Sequence, residues 1–142
     1  MEALGRLFNV IPVGEDVAVK MKNCSAVTFV CVGANAETFT LVESKAGASG
    51  QTLATLDHVY RNANSGGTAA WSRSSVLNAG AQVGVVTTTT ANPVAVFSVE
   101  DTELSDGFTH LEIQASASGT VVAIPHDLTV QRAPQNLPAA GV

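Results

Sequence analysis

The chain has 142 residues, a formal net charge of −5, 46% hydrophobic residues and charged side chains at only 13% of positions. That length suits one domain able to bury about two-thirds of its unfolded surface. Seven dispersed basic residues give no stripe for a phosphate backbone, and no stretch reaches the roughly 20 apolar residues of a membrane span, which argues against nucleic acid and membrane as partners.

From the N-terminus, residues 1–6 lack the basic start and apolar run of a secretory leader. Residues 6–11 form a first apolar run that should end at Pro12, so residues 1–12 read as an N-terminal arm. Val17, Val19 and Met21 then alternate with Ala18, Lys20 and Lys22, the period of a half-buried strand. Residues 25–33 are apolar at nearly every position, as in a strand covered on both faces. Cys24 and Cys31 are seven positions apart on that segment, about 20 Å along an extended chain and pointing to opposite faces. Two unpaired thiols suit folding in a reducing cytosol.

Gly33, Ala34, Asn35 and Ala36 supply hairpin chemistry before a strand in which Phe39 and Leu41 alternate against Thr38, Thr40 and Val42. Residues 45–51, rich in Gly, Ala and Ser, should be an exposed loop. Residues 52–61 fit either a strand or a single helical turn. Asn62 to Gly67 is the strongest turn cluster, and beyond it lies the sole tryptophan, Trp71, read as a core or interface anchor.

The β-branched segments 83–90 and 94–99 resist helix and favour sheet. After an acidic turn (Glu100, Asp101, Glu103, Asp106), Leu111 and Ile113 point inward against His110, Glu112 and Gln114. Residues 120–124 and 127–132 read as two strands separated by Pro125. The tail 133–142, with Pro134 and Pro138, cannot continue a ladder and should run extended. The fold class expected is all-β, an antiparallel β-sandwich or jelly-roll-like small barrel spanning residues 1–132, with extended terminal arms.

Catalytic chemistry finds little to hold. His110 and Glu112 share a strand face but no third metal ligand can be assigned, no G-x-S-x-G elbow is present, and the glycines match no phosphate or dinucleotide fingerprint. The acidic turn lacks the ligand order of a calcium loop. No cofactor, metal or enzymatic activity is expected. Sheet faces this sparsely charged need covering, since ordinary domains carry about a quarter charged residues. The chain therefore reads as an assembly component, with Trp71, Tyr60, Pro134, Leu137 and Pro138 as its candidate interface.

Three stretches carry a family resemblance. They are Ala26-Val27-Thr28-Phe29-Val30 leading into Thr38-Phe39-Thr40-Leu41; Leu56-Asp57-His58-Val59-Tyr60 before the Asn/Gly turn and Trp71; and Ile124-Pro125-His126-Asp127-Leu128-Thr129-Val130-Gln131-Arg132-Ala133-Pro134. Together they resemble capsid decoration (cement) proteins, the head-stabilising proteins of tailed bacteriophages of actinobacterial hosts. The resemblance implies a compact β domain without enzymatic activity, located on the capsid exterior of the virion. It also implies the major capsid protein and further copies of the chain as partners, with a trimer favoured over a dimer and chain ends reaching onto neighbours. No motif transfers residue by residue. The rival readings are a receptor- or carbohydrate-binding β module with Trp71 and Tyr60 at the ligand, and a tail or head-tail joining subunit.

Overall fold

The computed structural model describes residues 10–13, 17–33, 36–45, 50–54, 56, 58–75, 84–117 and 119–129. The N-terminal arm up to residue 9 and the tail with Pro134, Leu137 and Pro138 lie outside the described residues. Eleven strands follow in chain order: β1 (Ile11–Val13), β2 (Val19–Lys20), β3 (Cys24–Val32), β4 (Thr38–Ser44), β5 (Gln51–Thr52), β6 (His58–Asn62), β7 (Trp71–Ser75), β8 (Val85–Thr87), β9 (Val94–Glu100), β10 (His110–Ala115) and β11 (Thr120–Leu128). All pairings are antiparallel. One sheet runs β1-β11-β3-β9-β6-β7 and the other β2-β10-β4-β5, with β8 also on β4. The two pack as a sandwich, so of the two architectures expected the barrel is set aside.

The core lies where period-2 alternation sends it. Val27, Phe29 and Cys31 of β3, with Ala95, Phe97 and Val99 of β9, face Phe39 and Leu41 of β4 and Leu111 and Ile113 of β10, all buried. Phe29 and Phe97 are cross-strand partners with ring centroids 5.7 Å apart and tilted by 33°, a favourable aromatic arrangement. Both cysteines are free and buried. Burial pushes Cys24 up to about 11, with Asp101 adding to it. Burial likewise pushes Cys31 up to about 12, with Glu37 adding to it.

Several expectations are corrected. β3 and β4 are not a hairpin: β3 pairs with β11 and β9, and β4 with β10, β5 and β8. Each strand buries its aromatic-bearing face, and those two faces meet across the core rather than side by side. Residues 120–128 form one strand through Pro125. β1 pairs only with Val121, Val122 and Ala123, so beyond them one flank of β11 has no described strand to bond and a residue lacking N–H is tolerated. Pro12 likewise sits inside edge strand β1 rather than ending it. The ambiguous segment holds strand β6, preceded by the buried Leu53 and Leu56. β3 is covered on one face only, since Thr28, Val30 and Val32 alternate outward and are partly exposed.

The inward row of β4 begins and ends with an acid. Phe39 and Leu41 are flanked in the same parity by Glu37 and Glu43, exposed by 3% and 0%. Glu37 Oε1 accepts the Gly119 N–H at 2.8 Å in the β10–β11 turn. A Cβ on Gly119 would lie 2.7 Å from the Glu37 Cδ, so only glycine lets the turn approach this closely. Glu43 accepts from Ser105 N at 2.7 Å, Ser105 Oγ at 2.5 Å and Gln51 Nε2 at 2.8 Å. Removing that acceptor leaves the Ser105 and Gln51 donors without their partner and opens a void where the fully buried side chain lay. We expect Glu43→Ala to lower stability by about 3 kcal/mol in urea unfolding, whereas Glu112→Ala, on the outer face of the same sheet, should stay within about 0.5 kcal/mol. Equal losses would show that the buried acid has no special role.

Candidate interaction surface

The hairpin β6–β7 places two of the five candidate interface residues. Asn62, fully buried at the end of β6, donates through Nδ2 to Ala69 O at 2.7 Å and accepts the Asn64 N–H through Oδ1 at 2.9 Å. Asn64 Oδ1 accepts from Gly66 N at 2.7 Å, and Gly67 completes the turn at φ 69°, where a side chain would be strained. This network fixes the register Tyr60↔Arg73 and Asn62↔Trp71. Tyr60 and Trp71 are therefore diagonal neighbours on one face, within reach of each other's rings. They are 44% and 50% exposed, so the core reading of Trp71 is overturned and the surface reading is the one left. Pro134, Leu137 and Pro138 fall outside the described residues.

That face is the outer side of the six-stranded sheet, and a line of direct partners crosses it from edge to edge: Pro12↔Val122↔Val30↔Val96↔Tyr60↔Arg73. Five of the six are uncharged and apolar or aromatic. The next line, Thr120↔Val32↔Val94↔Asn62↔Trp71, adds the partly exposed Val32, with Val94 and Asn62 buried in it. An open cavity of about 640 Å³ adjoins its Val32 and Thr120 end and includes Asn64, Ser65, Thr90 and Pro93. Arg73 Nη2 contacts His58 Nε2, holding the guanidinium over the hairpin.

Sequence reasoning missed a polar chain on the same face. His126 Nδ1 lies 2.8 Å from Asp127 Oδ2, His126 Nε2 lies 3.0 Å from Thr28 Oγ1, and Thr28 Oγ1 lies 2.6 Å from Ser98 Oγ. The order acid, imidazole, hydroxyl is that of an activated nucleophile, but the chain runs over open sheet, and none of its residues lines the cavity at Val32 and Thr120. Its register, His126↔Ala26 and Thr28↔Ser98, depends on strands far apart in sequence, so no local spacing signals it.

A second cavity, about 460 Å³, is lined by Lys20, Lys22, Asp101, Thr109, His110 and apolar neighbours including Phe108. Lys45 Nζ lies 5.2 Å from the Phe108 ring centroid. On β10 Glu112 lies towards solvent but His110, expected beside it on the outer face, is buried, and among the described residues no three His, Cys, Asp or Glu side chains group as a metal site would need. No described helix is long and apolar enough to cross a membrane. Compared with protein-family models, curated proteins and solved structures, the chain matches none.

His110 is 4% exposed, and burial first, then the Lys20 ammonium, holds its pKa below the ordinary 6.5. Below that ordinary value the unfolded chain takes up a proton that the folded chain refuses, so this contribution is full above it and falls away as the pH drops towards the lower folded value. We expect urea unfolding to show a smaller stability loss between pH 7.5 and 5.5 in His110→Gln than in the parent. Parallel pH profiles would remove His110 from the acid response.

Proposed function

We propose that this chain is a structural virion protein, a capsid decoration (cement) protein that binds the outside of a phage head and stabilises contacts between capsomers. The observation that carries the reading is the partly exposed apolar line Pro12, Val122, Val30, Val96 and Tyr60 across the sparsely charged outer face of the six-stranded sheet. A face of that composition is more than a freely dissolved sandwich needs, and it suits a protein that works by covering and being covered. The pattern likeness to decoration proteins of actinobacterial phages supports the same role. The β domain associates with itself through its uncharged face, while the chain ahead of β1 or the tail 133–142 lies across the major capsid protein. Proline-fixed segments lose less entropy on docking than flexible ones, which suits Pro134 and Pro138 to an arm. Function then consists of added buried contact across capsomer boundaries, which works against the pressure of packaged DNA without any turnover.

The exposed pair Tyr60 and Trp71 favours one second reading, a receptor- or carbohydrate-binding module. Both readings are tested directly. Purified chain added to undecorated heads should bind at saturating stoichiometry and raise their resistance to heating. A chain ending at Arg132 should fold equally well but bind heads more weakly; undiminished occupancy would remove the tail from the mechanism. Glycan-array binding that is lost in Trp71→Ala, with no binding to heads, would transfer the function to the second reading.

A further inference from the structure

We infer that two copies of this chain pair face to face through the outer side of the six-stranded sheet, about a twofold axis parallel to the strands and midway between β3 and β9. The inference rests on the assembly reading above and names its first partner, a second copy, in place of the trimer that the resemblance favours.

Self-complementarity is the argument for a copy rather than another protein. The axis divides the sheet into β1, β11 and β3 on one side and β9, β6 and β7 on the other. One half is low, its central line being Pro12, Val122 and Val30; the other rises into Tyr60, beside Trp71. Rotation about the axis lays the aromatic half of each copy on the valine half of the other. Val30 then meets Val96 of the second copy, Val122 meets its Tyr60, and Pro12 meets its Arg73. This is the isologous contact a closed dimer requires.

The charges agree with this placement. Among the described residues the outward positions of the sheet carry the formal charges of Arg73 and Glu100 alone, with the exposed Asp127–His126 pair at one corner. Rotation sets Glu100 over Ala26, beside His126, and Arg73 against Pro12, so the two Arg73 side chains lie at opposite edges of the interface. A twofold across the strands instead would stack Arg73 near Arg73. The area also suffices. Six strands about 4.8 Å apart and averaging about six residues present a face of about 600 Å² in projection. Side-chain relief raises this towards the roughly 800 Å² per partner of a standard interface.

The test is sedimentation velocity on the full chain over a wide concentration range. The expected species has twice the 14.5 kDa chain mass, and Val96→Glu, at the axis, and Tyr60→Glu, already exposed, should each weaken association at least tenfold. Circular dichroism checks that both stay folded, and Glu112→Lys on the opposite sheet should leave the pair intact. Geometry is tested by the double variant Tyr60→Cys/Val122→Cys. Those positions lie three strand spacings apart within one chain, about 14 Å, too far for an internal disulfide. Mild oxidation should therefore link two chains. A monomer at all concentrations, a mass of three or more chains, a pair indifferent to both glutamates, or no cross-linked dimer would each overturn the inference. Binding to heads is scored separately. A pair that leaves heads undecorated keeps this interface and removes the virion reading, while a monomer that decorates heads does the reverse.

Discussion

The fold depends on how strand β4 buries an acid at each end of its core-facing row. A carboxylate taken out of water is costly unless donors replace the lost hydration, so Glu37 and Glu43 can lie inside only where Gly119 and Ser105 come to them. Those two residues sit in the connections β10–β11 and β9–β10, at opposite ends of the sandwich. Holding both connections to one strand fixes where β9, β10 and β11 begin and end relative to β4. A one-residue slip of β4 would expose Phe39 and Leu41, turn Thr38, Thr40 and Val42 inward, and leave both acids without their partners. Register is therefore specified by hydrogen bonds at the ends as well as by apolar burial in the middle.

With the interior closed in this way, the remaining apolar residues appear on one outer surface. The two outer faces differ sharply. On the smaller sheet Thr38, Thr40, Glu112 and Gln114 point out, with Thr38 Oγ1 3.4 Å from Thr87 Oγ1 and Gln114 Nε2 donating to Glu112 Oε1 at 2.9 Å. On the larger sheet Val122, Val30 and Val96 form the central line and two aromatic rings stand exposed, with Thr28, Ser98 and His126 grouped to one side. Overall hydropathy does not separate these surfaces; strand parity does.

How much of this was legible in the sequence follows from the range of each signal. Alternation is local, so β10 is readable with its inward Leu111 and Ile113 and outward Glu112 and Gln114, and so is the turn after Asn62, whose side-chain hydrogen bonds span at most seven residues. Pairing is not local. The β3–β4 hairpin was expected because glycine and asparagine lay between two strands, but turn residues permit a reversal without stating whether the next strand pairs alongside or crosses to the other sheet. Pro125 was read as a break because a proline's tolerance depends on whether its flank is paired, which requires the length of β1. Glu37 and Glu43 shared parity with Phe39 and Leu41 and were nonetheless passed over, since an acid in a core row is improbable until its donors are known. Tyr60 and Trp71 were picked out individually as interface residues; that they stand side by side came only from the β6–β7 register.

The apolar character of β3 illustrates how one pattern can have two causes. A strand apolar at nearly every position is the mark of burial on both faces, by helices or a further sheet. Here one side has the second sheet, and the other has no layer among the described residues. Val30, Val122 and Val96 keep the composition of a covered strand while remaining partly exposed. Folding alone does not account for it, because Thr at these positions would serve a lone sandwich as well in sheet propensity. An interface accounts for it economically. Under the pairing proposed above, the residues that read as the interior of one chain would be the interior of an assembly, with a second copy supplying the missing layer.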